Sequence, residues 1–454
     1  MLKYHHTCKK DVNIYIFFSL NNLIKNMNLK KNREDRWFLY QFTNEKLFEE
    51  YEKWWKSFYL WIDPSANSLQ LGNLCAMMAA VNLMKYGNKC YFLVWGATWM
   101  IGDPSGKDAE RNFLDEETLR QNQKNIFDQI VKFLNNLKDN YGINFEYEMV
   151  NNYDFYKWMW YLDFLRDVGK YITVNTMAAK ESVKKRLEDP DKSISYSEFS
   201  YMLIQGYDFM HLYENMWIEL QLWWSDQWGN IVTWMELTRK KHNKEIFGLT
   251  IPIITDSSGK KFGKSEWNAI WLDPNKNSPY FVYQYFLNTN DDDISKYMKI
   301  LTLMDISEID NIVNEHKKDP WQRLGQKKLA EYVVELVFGK KEIENVHKIT
   351  EILFSKENKL NLLKQLNNEE KIALKGATGG VEIDKNEWKI LELCSLSGLT
   401  ESNWEAKKMI QSWALYCNEE KIEDMQKTLS KEDTINGIFL LRKGKKVYKT
   451  IVLK

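Results

Sequence analysis

YLWIDPSANSLQLGNL, residues 59–74, is the stretch whose reading decides the fold. Tyr59 to Ile62 reads as a short buried strand. Asp63-Pro64 opens a turn, and a helix follows, with Asn67 or Ser68 as its expected N-cap and Gly72 in its first turns. A helix amino terminus placed directly after a strand leaves unpaired backbone N–H groups and the positive end of the helix dipole pointing at one spot. In an open α/β sheet that spot holds phosphate.

Outward from this unit, strand and helix alternate. Cys90–Val94 is a second buried strand, residues 115–138 form a long amphipathic helix, and 140–150 carry another strand. Strand-like runs recur at Ile218–Leu222 and Leu249–Ile254, with helical periodicity between Asn151 and Arg186. The expected class is therefore α/β, a Rossmann-like, mostly parallel sheet. After Asp273 the chain turns helical, and GATGG at 376–380 reads as a linker into a last segment of short strands and basic residues.

Composition narrows the classes. A chain of 454 residues, 28% charged and 44% hydrophobic, is long enough for two or three domains with a buried main core. The formal net charge of zero gives no general field toward nucleic acid or membrane, so any RNA contact must come from local patches. Five cysteines at 8, 75, 90, 394 and 417 include no CxxC pair, which fits a reducing cytoplasm and argues against structural zinc. No apolar run reaches transmembrane length. Residues 1–26 have a basic start but no cleavage site for a signal peptide; they are expected to be a non-native or disordered extension, with the true start at Met27.

Four further constellations carry chemistry. GDPSGK, at 102–107, is small-residue-rich with a lysine at a strand end, a composition that can make a phosphate nest. The helix SYMLIQGYDFM puts Tyr201, Gln205 and Asp208 on one face, and a carboxylate among apolar neighbours needs a partner. LQLWWSDQWGN places Gln221, Asp226 and Gln227 beside a glycine-requiring turn, and KFGKS at 261–265 puts two lysines within five residues.

Together these motifs resemble tyrosyl-tRNA synthetases of class I. DPSANSLQLGNL is similar to the family's first ATP signature and KFGKS to its second; WGATWMIGDPSGK and SDQWGN are similar to two more of its motifs. The resemblance, covering residues 27–454, implies ATP with Mg²⁺, L-tyrosine and tRNA-Tyr as substrates and partners, and a cytoplasmic homodimer with no membrane contact. It assigns Tyr59, Asp63, Thr98, Asp103, Tyr201, Gln205, Asp208 and Gln227 to tyrosine. Ser65, Gln70, Gly72, Asn73, Asp226, Lys261, Lys264 and Ser265 fall to ATP, and Lys107, Arg111, Lys261, Lys264, Gln70 and Asn73 to catalysis, with no protein metal ligand.

By the same resemblance residues 27–285 form the catalytic domain, 296–376 a helical anticodon-side domain, 377–383 a linker and 384–454 an S4-like RNA-binding domain. Lys407, Lys408, Arg442, Lys443, Lys445 and Lys446 are its expected RNA contacts. A catalytically silent, RNA-binding relative is the alternative.

Two features depart from the family pattern. Gln70 stands where histidine is usual, and its amide donates without charge. Trp37, Trp61, Trp95, Trp99, Trp217, Trp223, Trp224, Trp234, Trp267 and Trp413 stand where the family has glycine, whereas Trp228 and Trp271 match family tryptophans. The chain holds 19 tryptophans and 20 glycines, against about 32 glycines at average usage. A codon, UGA, read as glycine in a bacterial cell but rendered here as tryptophan is the expectation that accounts for both.

Overall fold

The computed structural model describes residues 28–53, 55–101, 115–189, 191, 193–263, 269–355, 358–385, 387–444 and 447–454. The chain forms two compact units, one of residues 1–272 with 290–325, the other of 273–289 with 326–454. The helices Asp291–Leu301 and Ile306–Lys318 thus pack with the first unit, whereas the sequence reading grouped them with the later helices.

The first unit is a six-stranded sheet in the order β1-β6-β5-β2-β3-β4. Its strands are β1 (Gln41–Phe42), β2 (Ser57–Ile62), β3 (Lys89–Val94), β4 (Tyr147–Asn151), β5 (Leu220–Trp224) and β6 (Phe247–Ile251). All pair in parallel except β1, which runs antiparallel along the edge of β6. Five consecutive buried residues in β2, in β3 and in β6 explain why these strands read as continuous apolar runs: helices cover both faces of a parallel sheet. Those helices are α1 (Leu71–Met84), α2 (Glu116–Tyr141), α3 (Tyr196–Met216) and α4 (Trp228–His242). From β2 the chain moves to β3 and β4 on one side, then crosses to β5 and β6 on the other. The carboxyl end of β2 is therefore the topological switch point, where an open α/β sheet has its crevice.

Helix α1 begins later than the sequence suggests. Its N-cap is Gln70, not Asn67 or Ser68, and the Oδ1 of Asn73 accepts from the Gln70 backbone N–H at 2.9 Å. Ser68 is instead buried, its hydroxyl turned to Leu69 O and Gln129. The charged segment before β2 is built of three short elements. It is a helix at Leu29–Asp35, then β1, then a helix at Lys46–Glu52. Fully buried Arg33 anchors it, donating to Ala79 O and Phe38 O, and burial pulls its guanidinium down to about 9.

Among the described residues nine non-glycine residues have positive φ, and four of them are tryptophan: Trp37, Trp55, Trp217 and Trp413. Trp217 caps α3 in the left-handed region. Trp37 and Trp413 sit just past helix ends in Schellman turns, closed by Phe38 N–H to Arg33 O and by Ala414 N–H to Met409 O. Helices ending at Gly142 and Gly379 use the same left-handed cap with glycine. An L-residue there costs about 1–2 kcal/mol.

In the second unit the helices Pro279–Leu287, Lys340–Phe354 and Asn368–Thr378 pack together, followed by an α+β domain. GATGG is not an open linker. It completes the helix ending at Thr378, and Val381–Ile383 then joins a five-stranded sheet, parallel to Val447–Leu453. Two helices, Ile390–Leu396 and Asn403–Gln411, bury Leu393, Cys394, Ala406 and Ile410 against Phe439 and Leu441.

Candidate active site

The first two signatures meet in the structure. Gly263, in the KFGKS segment, has φ 79°, and a Cβ built on it would lie 3.1 Å from the backbone nitrogen of Gly72 and 3.2 Å from Leu71 Cβ. The Leu71 N–H donates to Ile270 O at 2.8 Å and the Leu272 N–H to Leu69 O at 2.9 Å, tying the start of α1 to the chain leaving that loop. Lys261 lies exposed at the end of a turn bridged to Thr255. Gly263→Ala forces both a strained φ and a backbone contact. Tyrosine-dependent ATP–pyrophosphate exchange is expected to drop about tenfold, with secondary structure by circular dichroism unchanged; equal exchange would remove the contact's importance.

A polar cluster lies behind the switch point. Asp208, on α3, is fully buried and accepts from Asn152 Nδ2 at 2.9 Å and from the Tyr156 hydroxyl at 2.8 Å. Asn152 Nδ2 also reaches the Thr98 hydroxyl, and Asn152 Oδ1 accepts from the Ala97 N–H at 2.8 Å. Burial raises the Asp208 carboxyl to about 8 despite these two donors. Tyr59, buried on β2 with its ring 5.1 Å from Phe209, has its hydroxyl pushed up by burial and by the charge of Asp208. Gln205 Nε2 donates to the Tyr201 hydroxyl at 2.8 Å. Gln221, next to Tyr59 in register across β5 and β2, is buried with neither amide atom partnered.

The structure thus brings together Tyr59, Thr98, Tyr201, Gln205 and Asp208, and adds Asn152 and Tyr156, which sequence reasoning missed. Their only signal was polar residues at and after the end of a strand, in NNYDFY. Asp63 and Ser65 lie exposed in the turn after β2; Asp226 and Gln227 lie in the turn after β5, where Gln227 Oε1 accepts from Asn230 Nδ2 at 2.9 Å. Asp103, Lys107, Arg111, Lys264, Ser265, Lys445 and Lys446 lie outside the described residues.

Three indoles fill the crevice itself. Trp61 from β2 stacks on Trp95, just past β3, with centroids 3.6 Å apart at 11°, and meets Trp223 of β5 at 3.8 Å with the rings tilted by 32°. Trp95 meets the Tyr201 ring edge-on at 6.4 Å. All three are buried, and the indole nitrogens of Trp61 and Trp95 have no hydrogen-bond partner.

In the carboxy-terminal domain Lys407 is exposed and Lys408 lies over the Trp404 ring at 3.5 Å. Arg442 pairs with Glu419 at 2.9 Å and stacks over Tyr416; Lys443 pairs with Glu405 at 2.7 Å. Two of the expected RNA contacts are thus engaged within the domain.

A parallel sheet with a helix amino terminus at its switch point, a lysine loop folded against that terminus and a buried carboxylate behind it is the arrangement of a class I aminoacyl-tRNA synthetase. Residues 56–355 match the family described as tRNA synthetases class I (W and Y), and 373–451 match the tyrosine–tRNA ligase SYY-like C-terminal domain. The tyrosine–tRNA ligase 1 of Streptococcus thermophilus is 44% identical over 415 residues, 90% of this chain and 96% of that protein. The tyrosine–tRNA ligase of Ureaplasma urealyticum is 42% identical over 429 residues, 94% and 99%. Among solved structures, a C-terminally truncated mitochondrial tyrosyl-tRNA synthetase of Aspergillus nidulans superposes with TM-score 0.65 at 26% identity, covering 76% of this chain and all of that one. The chain belongs to the tyrosine–tRNA ligases of class I.

Proposed function

We propose that the protein activates L-tyrosine with ATP, releasing diphosphate, and transfers the tyrosyl group to the 3′ end of tRNA-Tyr. The observation that carries the tyrosine assignment is the buried Asp208, held by Asn152 and Tyr156 beside Tyr59. A buried carboxylate with a phenol beside it suits a substrate phenol hydroxyl and leaves unpaired polar atoms for phenylalanine. Thr98, Tyr201, Gln205 and Asp103 serve the substrate's ammonium end, with Asp63 and Gln227 completing the tyrosine contacts.

The tyrosine carboxylate is itself the nucleophile on the α-phosphorus, so no protein base is required. Rate comes from positioning and from cations facing the developing charge. Lys107, Arg111, Lys261 and Lys264 supply those cations. Ser65, Gln70, Gly72 and Asn73 cradle the nucleotide through the start of α1, Asp226 takes the ribose, and Ser265 also serves ATP. Asn73 Oδ1 accepts from the Gln70 N–H, which fixes the first turn that carries both residues. Mg²⁺ travels with ATP on the phosphates.

The carboxy-terminal domain is S4-like and meets tRNA through Lys407, Lys408 and the basic residues Arg442, Lys443, Lys445 and Lys446. The exposed run Trp158, Trp160, Tyr161, Leu162 and Leu165 supports a symmetric homodimer through that segment. No helix among the described residues is long and apolar enough to cross a membrane. Tyrosine-dependent ATP–pyrophosphate exchange and tRNA charging test the reading. Retained tRNA binding without exchange, in protein with an open crevice, would leave only the silent RNA-binding alternative.

A further inference from the structure

We propose that Trp61, Trp95 and Trp223 fill a crevice that stands open in the protein made in its own cell. The protein made in its own cell then carries glycine there, and glycine at 37, 55, 217 and 413, because one codon read as glycine stands as tryptophan in the sequence. The inference rests on the tyrosine-activating reading for the ligand's identity, but its grounds are geometric and fall into two unrelated groups.

The first group is the backbone. Tryptophan supplies 19 of 454 residues yet, among the described residues, four of the nine non-glycine ones with positive φ, whereas asparagine, which tolerates that region, supplies three. Trp37, Trp217 and Trp413 occupy the one place in a helix termination where glycine is the usual residue, and Gly142 and Gly379 end other helices of this chain that way. Trp55 joins them at φ 82°, though nothing in its sequence context marks it. By contrast Trp228, with φ −51°, starts α4 in ordinary helical geometry, so tryptophan as such is not the anomaly.

The second group is the crevice. Ligands of open α/β sheets bind outside the carboxyl ends of the strands at the switch point. Those ends here are Ile62, Val94 and Trp224, and the three stacked indoles stand at or beside them. Each indole brings roughly 150–250 Å² of surface. The stack has buried two indole N–H groups without acceptors, although a buried donor normally finds one. With glycine at 61, 95 and 223 the crevice opens between the start of α1, Tyr201 and the Asp226–Gln227 turn, a space bounded by phosphate-facing backbone on one side and the polar cluster of Asp208 on the other.

The test has two arms. Peptide mass spectrometry of the protein purified from its own source, with the codons of its gene, reads the residues directly. Glycine at all seven positions, from a codon different from that of Trp228 and Trp271, is the expected result; tryptophan at 61, 95 and 223 overturns the proposal. Second, two full-length recombinant chains, one as printed and one with glycine at the seven positions, are titrated with ATP and with tyrosine by calorimetry. Binding at least tenfold tighter in the glycine chain is expected, and equal ATP binding would show that the indoles do not fill the nucleotide space. Trp217→Gly alone lies on the surface, away from the crevice, and should raise the melting temperature; a fall would overturn the backbone argument. A glycine chain that binds both ligands but makes no adenylate would uphold the open crevice and remove the activity instead.

Discussion

Asp208→Asn, in the chain with glycine at 61, 95 and 223, should lower kcat/KM for tyrosine in the exchange reaction by on the order of 10². The carboxylate is fully buried, so its replacement loses a hydrogen bond to a charged acceptor that no water can replace. Asparagine keeps the shape and still accepts from Asn152 or Tyr156, so the fold should survive, as near-ultraviolet circular dichroism would show. Selectivity should fall with activity: the margin over phenylalanine should shrink by a similar factor. Tyrosine-specific synthetases are themselves the reference example of such rejection, about 10⁵ against phenylalanine, a figure taken as given. Unchanged selectivity would mean that another group reads the phenol.

The same carboxyl gives a pH signature. Its folded pKa, about 8, lies above the ordinary carboxylate value of 3.8. The folded state therefore holds a proton that the unfolded chain has released, so this group's contribution to stability declines as pH rises from about 4 to about 8 and is flat beyond. A phenol donating to Asp208 favours the ionised form. Tyrosine binding should strengthen as pH rises toward 8 and should release a proton, seen by calorimetry in two buffers of different ionisation enthalpy. Asp208→Asn should abolish the proton release; its persistence would place the titration elsewhere.

The second large effect is expected at Gly380. A Cβ there would sit 1.9 Å from Thr450 O and 2.8 Å from its carbonyl carbon, atoms of a sheet strand that cannot step aside. Gly380→Ala should destabilise the carboxy-terminal domain by about 3 kcal/mol. The outcome to look for is a split: exchange near its starting rate, charging of tRNA reduced at least tenfold, and an early unfolding transition in the thermal melt. Charging and exchange falling together would mean that the strand pairing at 381–383 also supports the catalytic unit.

What the sequence made legible follows from physical clarity. Strands β2, β3 and β6 announced themselves because helices on both faces require apolar residues throughout. The pairing of Tyr201, Gln205 and Asp208 followed from helical spacing. The start of α1 was misplaced because Ser68 is a better generic cap than Gln70, and only the bridge of Gln70 to Trp271 shows why the chain turns two residues later. Asn152 and Tyr156 were invisible because their partner, Asp208, lies more than fifty residues away. The glycine-rich GATGG looked like a hinge, but small residues there serve close approach to Thr450. At Trp37, Trp217 and Trp413 the residue type and the backbone disagree, and it is the backbone, set by the whole fold, that exposes the mismatch.

Strand β1 carries one more consequence, for the order of synthesis. The two-residue strand at Gln41–Phe42 protects the open edge of β6, including a bond between Gln41 N–H and Thr250 Oγ1 that spans 209 residues. Arg36 similarly donates to Thr302 O, 266 residues on. The beginning of the chain leaves the ribosome long before its partners exist, so the catalytic sheet closes only after most of the polypeptide has been made. Until then β6, destined for burial on every residue, is the segment for a chaperone to shield.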